Sequence, residues 1–568
     1  MNEDIGLRHP CGETPSRPRV GFVKPADTRI RVVVSPTDAV WVPPTLLRRV
    51  AAVTLCLILL VAIGTASAKT LRYASAQDPQ SMDPHALALL YQSRVVTQIY
   101  EGLVDRDRAF RLEPSLAVSW QQLEPTVWRF RLRPGVVFHD GTPFTADDAV
   151  FSIARALDKA SQRANQMRGI SGARKVDALT VDVTSEAPDA VLPQKLWVVA
   201  MMSKAWCERH RVERPQDYNA RQETWAVRHA NGTGPFVLES YEADARTVLR
   251  ANPAWWGRGT SAGGGNVDEA IYSVIASDAS RYAALVSGQV DFVVDPAFQD
   301  LPRIRQAGAL KVMATPDIGT QYLAFDQHSA ELPGVPGRNP FKDVRVRRAV
   351  QLAIDAELIA RQVLRGEATP TGSHVSPLVD GYVAAFEARP AHDPKAARAL
   401  LEAAGYAAGF PVTLDCVNIT LRAAVCQAIA SMLEKVGIRT TFQPSPASIF
   451  FPKLTQATTS FAEFGWSPGT DAWNILQSLV RSNDGLTAGA FNAGRYSNPR
   501  LDALIDAIRV EPDIEQRRRL VGEALGVLHD ELPIVPLYRR HHNWVMRPGI
   551  EAVQWPNDVL ELRWVKLP

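Results

Sequence analysis

Three groups of residues have types and spacings that could do chemistry. Gly259-Thr-Ser-Ala-Gly263 matches the G-x-S-x-G pattern, in which a serine (here Ser261) is presented as a nucleophile on a sharp turn. That pattern works only between a strand and a helix, whereas here it runs into Gly263-Gly264-Gly265 with no helical periodicity behind it. A secreted serine hydrolase using Ser261 is therefore the alternative from the enzyme class, and the chain is expected not to be an enzyme. His541 and His542 are adjacent, so on a strand their rings point to opposite faces and cannot chelate one metal. Of the five cysteines, Cys11 and Cys56 lie near the N-terminus, and Cys207, Cys416 and Cys426 show no C-x-x-C or Cys/His zinc spacing. Cys416 ends the apolar run Val412-Thr-Leu-Asp-Cys416, and Cys426 falls one turn inside the next predicted helix. The two can meet as a disulfide in an oxidising compartment or remain buried thiols. No metal and no cofactor are expected.

The elements that must position these residues alternate between two periodicities. Trp128-Arg-Phe-Arg-Leu132 alternates with period two and predicts a half-buried strand, followed by a turn at Pro134-Gly135 and a short strand over Val136-Val-Phe138. After a second turn at Asp140-Gly-Thr-Pro143, Thr145 is a helix N-cap with Asp147 and Asp148 in the first turn. Amphipathic helices are predicted over 344–364, 394–404, 421–436, 499–508 and 514–530, and a strand over 270–275. Strands interleaved with helices predict an α/β architecture with largely covered sheets.

Composition narrows the function classes. The 568 residues are 46% hydrophobic and 22% charged, which excludes collagen, coiled coil and a multi-span membrane protein, and the length implies two or three domains. The net charge of +3 is too small for a nucleic-acid footprint. The first 68 residues hold eight basic and five acidic side chains, leaving 55 of each in the remainder. Within that first segment Leu46-Leu47-Arg48-Arg49 precedes an apolar run from Val50 to Ile63 and the small residues Gly64-Thr-Ala-Ser-Ala68, the pattern of a secretory signal peptide. Cleavage is predicted after Ala68, with export to the periplasm and a mature chain from Lys69; an uncleaved anchor is the alternative. The Pro- and Arg-rich stretch before Leu46 lacks apolar periodicity, and translation is expected to begin within it rather than at Met1.

Further segments carry a resemblance. They include Ser81-Met-Asp-Pro-His85, Ile99-Tyr-Glu-Gly-Leu103, Leu112-Glu-Pro-Ser-Leu-Ala117 and Phe138-His-Asp-Gly-Thr-Pro-Phe144. They continue with Gly232-Thr-Gly-Pro-Phe236, Asn252-Pro-Ala-Trp-Trp-Gly257, Gly288-Gln-Val-Asp291, Tyr322-Leu-Ala-Phe325 and Pro340-Phe-Lys-Asp-Val-Arg-Val-Arg-Arg-Ala349. In this order, from about Leu71 to the C-terminus, the chain resembles the family 5 extracellular solute-binding proteins of peptide- and nickel-type ABC importers. Most of these segments have a scaffold role. The resemblance implies a two-lobed periplasmic-binding-protein-like (class II) α/β fold with an extra domain inserted in the first lobe. Lobe 1 is expected over 69–103, 203–319 and 533–568, the additional domain over 104–202, and lobe 2 over 320–532.

The implied function is capture of a peptide or peptide-like solute by hinge closure, delivered by a monomeric receptor to an ABC permease and its ATPase subunits. A non-peptide cargo, such as a metal chelate, haem or an opine-like compound, is the alternative within the class. The resemblance places an aromatic shelf and an ammonium-binding acid in the loop Phe464-Gly-Trp-Ser-Pro-Gly-Thr-Asp-Ala-Trp473. Gly465 and Trp466 match that motif. The family's acid position, three after Trp466, is Gly469, so Asp471 is the expected anchor, with helix N-capping as its competing role. Tyr322, Leu87, Tyr91 and Trp473 are the further expected wall residues, while 86–90 is wholly apolar where some members carry a charge.

Overall fold

The computed structural model describes residues 68–568 except Arg221, Thr470, Leu486, Thr487 and the side chain of Thr420. The predicted leader through Ser67 lies outside the described residues. Among these, no helix is long and apolar enough to cross a membrane.

The organising element is the thirteen-residue strand Ile534–Met546, which belongs to both halves of a twelve-stranded sheet. Its first part pairs antiparallel with Thr320–Phe325 (Leu323 opposite Val535), and its second part pairs with Lys311–Pro316 (Met313 opposite Trp544). The chain therefore crosses between the halves twice, at residues 316–320 and 538–542. On one side, Thr70–Ser75 lies parallel to Glu269–Val274 and Phe292–Val293, with Arg246–Ala251 and Phe236–Glu242 beyond. On the other, Phe461–Trp466, Phe410–Val417 and Ile438–Ser445 extend the sheet.

A separate four-stranded antiparallel sheet orders Ala117–Glu124, Val127–Leu132, Thr180–Ser185 and Ile170–Asp177. The helix Ala146–Ala156 covers it, burying Ala149, Ile153 and Ala156 with Phe130, Val181 and Val183. The helix begins as its sequence predicts, since the Asp148 carboxylate accepts the Thr145 backbone N–H at 2.9 Å. Two expectations need correction. Val136-Val-Phe138 forms only an isolated bridge between Val137 and Pro143, because the chain turns back within six residues. The long helix expected over 344–364 stops at Ala353: Ile354 is extended and Asp355 caps a new, shorter turn through the Leu358 N–H at 2.8 Å.

The motif segments meet in the interior. Asp83 and Arg155 form a doubly hydrogen-bonded pair (2.7 and 2.8 Å) with neither side chain exposed. The Glu101 carboxylate accepts from Trp255 Nε1 (2.9 Å), Trp256 Nε1 (3.0 Å) and Thr233 Oγ1 (2.8 Å), so three motifs distant in sequence converge on one acid. Cys416 and Cys426 are joined as a disulfide, and Cys207 is a buried free thiol.

Candidate functional site

A cavity of about 470 Å³ opens where the two crossing segments lie side by side. One wall is the segment 84–102, including Ala88, Leu89, Leu90 and Thr97, joined by Trp197 and Val198 from beside the four-stranded sheet. The opposite wall is Ser467, Pro468 and Gly469, from the far half of the large sheet. The floor is made by the crossings themselves, with Asp317 and Ile318 from one and Arg540 and His542 from the other. Both halves of the fold thus contribute to one hollow, and any rotation about residues 316–320 and 538–542 changes its width.

The crossings are held by charge. Arg540 Nη2 reaches Asp317 Oδ2 at 3.0 Å, and His542 Nε2 lies 3.5 Å from Asp317 Oδ1. Burial pushes the Asp317 carboxyl up, but His542, Arg540 and the Gly319 N–H (2.8 Å) outweigh it and hold it below the ordinary aspartate range. Burial alone would discharge His542; Asp317 and Asp558 beside it reverse that and raise its pKa. The chain passes tightly here, since a Cβ on Gly319 would stand 2.3 Å from Ser467 Oγ.

The residues expected to line the site are placed differently. Asp471 is 4% exposed and doubly hydrogen-bonded by Arg517, one bond being 2.9 Å from Nη2, and it accepts the Trp473 N–H at 2.7 Å. Its carboxylate is spent on the helix start and the guanidinium, a correction to its expected role as ligand anchor. Tyr322 has no exposed surface and donates its hydroxyl to the His374 carbonyl at 2.5 Å, so it is core rather than wall. Leu87 is equally buried, and the neighbouring Leu89 reaches the cavity instead. Tyr91 is half-buried under the Arg94 guanidinium, 5.3 Å from its ring centre. Trp473 donates Nε1 to the Ile505 carbonyl at 3.0 Å, and Trp466 donates to Asn474 Oδ1 at 2.9 Å while leaning on Phe491. The space over Gly465 is filled by the Gln321 side chain, 2.5 Å from where a Cβ would stand. Gly469, by contrast, lines the cavity, so the position where the resemblance expects an acid faces the hollow without one.

Sequence reading missed the charged lining groups Glu101, Arg163, Asp317, Arg540 and His542. His541 and His542 are neighbours in sequence, but the informative partner of His542 is Asp317, more than 200 residues away. Ser261 sits on an exposed turn, and the next regular element is the strand Glu269–Val274, so the elbow context is missing. Among the described residues no three His, Cys, Asp or Glu side chains gather as metal ligands.

Comparison with known proteins agrees with this architecture. Residues 111–486 match the sequence model described as bacterial extracellular solute-binding proteins, family 5 Middle. Heme-binding protein A of Haemophilus influenzae is 25% identical over 508 residues, covering 83% of this chain and 87% of that protein. The periplasmic oligopeptide-binding protein OppA of Salmonella typhimurium is 26% identical over 518 residues, covering 86% and 90%. The unliganded open form of the periplasmic murein tripeptide binding protein MppA superposes with a TM-score of 0.75 at 21% identity, covering 88% of this chain and 98% of that one.

Proposed function

We propose that this chain, which belongs to the bacterial extracellular solute-binding proteins of family 5, captures a peptide or peptide-like solute and hands it to an ABC permease. The observation that carries the reading is the cavity walled by both halves of the fold and floored by their two crossings. Such a hollow binds by closing, and binding that buries ligand between rigid bodies requires no bond to be made or broken. OppA, named for oligopeptides, supports a peptide cargo. Heme-binding protein A keeps a non-peptide cargo as the second reading.

In this reading lobe 1 comprises 69–103, 203–319 and 533–568, lobe 2 comprises 320–532, and 104–202 forms the additional domain. The separate apolar cores around Trp544, Phe341 and Phe130 support three bodies with one boundary moved: Val535 and Leu537 pack in the Phe341 core, so lobe 1 resumes at the crossing 538–542 rather than at 533. The receptor works as an exported monomer, cleaved after Ala68, and its closed form docks on the permease, whose ATPase subunits drive transport. Mass spectrometry of what is released when the purified protein is denatured tests the cargo. Recovery of peptides supports the reading, and repeated recovery of haem or a metal chelate overturns it.

A further inference from the structure

The cavity's lining charges do not balance. Asp317 is answered by Arg540 and His542. Glu101 is enclosed by three hydrogen-bond donors, and burial raises its pKa to about 7, so at neutral pH it is only about half ionised. Arg163 is the exception. It is 6% exposed, lines the cavity, and among the described residues no carboxylate lies within ion-pair distance of it.

Its hydrogen-bond partners are all neutral. Nε donates to the Pro84 carbonyl at 3.3 Å, Nη1 to Gln166 Oε1 at 3.2 Å and Nη2 to Ser93 Oγ at 3.2 Å. A guanidinium carries five N–H donors, so two remain, one on each terminal nitrogen, to donate to a carboxylate. Desolvation lowers its pKa to about 10, which leaves it charged at neutral pH. A buried cation without a counter-charge costs stability. Folds keep such costs chiefly where a ligand removes them.

Building on the binding role above, we infer that Arg163, with Ser93 and Gln166 orienting it, is a subsite for a carboxylate of the bound solute. The subsite holds either a peptide's C-terminal carboxylate or an acidic side chain. Ser467–Gly469, which line the same cavity, offer no acid; selection in this cleft therefore rests on the ligand's negative end rather than on its ammonium.

The test is titration calorimetry of the chain from Lys69, freed of ligand by unfolding and refolding. The probes are tri-alanine, tri-alanine amide, Ala-Glu-Ala amide and succinate, applied to wild type, Arg163→Gln and Arg163→Lys. Tri-alanine is expected to lose about 10- to 100-fold in affinity on amidation or on Arg163→Gln, the scale of a charge-assisted pair. The two changes together should add nothing further. Recovery by Ala-Glu-Ala amide that depends on Arg163 assigns the subsite to a side chain instead. Arg163→Lys should fall between wild type and Arg163→Gln. Ligand-free Arg163→Gln should melt no lower than wild type, since a merely structural role for Arg163 would lower it. If no peptide binds but succinate binds wild type and not Arg163→Gln, the carboxylate subsite stands and the peptide cargo falls. Equal affinities for acid and amide, unchanged by Arg163→Gln, overturn the subsite and leave the peptide cargo standing. Failure of every probe overturns both.

Discussion

Arg517, on the helix Ile514–Glu531, closes on Asp471 with two hydrogen bonds, so the acid that the loop seemed to offer a ligand is already neutralised by the chain itself. Both side chains are nearly fully buried. Asp471→Ala leaves Arg517 charged and unpaired, a loss expected to cost about 3–5 kcal/mol of unfolding free energy. Adding Arg517→Met should recover most of it. Chemical denaturation of the two variants checks this, and a peptide affinity unchanged in the double variant confirms that the pair is structural.

Glu101 gives the protein a pH dependence of calculable sign. Burial pushes its carboxyl from 4.5 to about 7, against the Trp255 and Thr233 hydrogen bonds that favour ionisation. The folded state therefore holds a proton that the unfolded chain has released. The associated stability is complete below about pH 4.5 and is lost as pH rises through about 7. Glu101→Gln cannot titrate. The difference in unfolding free energy between variant and wild type should move in the variant's favour by roughly 2–3 kcal/mol from pH 5 to pH 8. A pH-independent difference contradicts the assignment.

Cys416 and Cys426 join the end of the strand Phe410–Val417 to the helix Thr420–Glu434. The chain from Lys69, denatured without reductant, should titrate one thiol (Cys207), and three after reduction. Replacing both bridged cysteines with alanine should lower stability by about 2–3 kcal/mol, the loop-closure scale for ten residues. Three thiols before reduction exclude the bridge.

Ser261 lies on an exposed turn beside the glycine cluster. Ser261→Ala should leave peptide affinity and thermal stability unchanged, and neither protein should hydrolyse p-nitrophenyl esters above the buffer rate. Hydrolysis abolished by the substitution would restore the enzyme reading.

The fold was legible because its signals are local or repeated. Period-two runs such as Trp128–Leu132 and the cap at Thr145 need only near neighbours, and both form as read. The break at Ile354 was hidden because Asp355 resembles any exposed acid on a helix until its bond to the Leu358 N–H is seen. The site was harder for a physical reason. Asp471 and Asp317 have the same side chain, and only tertiary partners separate them: Arg517 removes one from the cleft, while Arg540 and His542 hold the other on its floor. Arg163 carried no motif at all, since its significance lies in lacking a carboxylate partner. Gly469 was the informative departure, noticed in the sequence as a missing acid and found on the cavity wall.

The central claim is closure about the paired crossings at 316–320 and 538–542. Small-angle X-ray scattering of the ligand-free chain from Lys69, recorded with and without a saturating random tripeptide mixture, tests it most directly. The account predicts a smaller radius of gyration with peptide present. Superimposable curves while calorimetry registers bound peptide would contradict it.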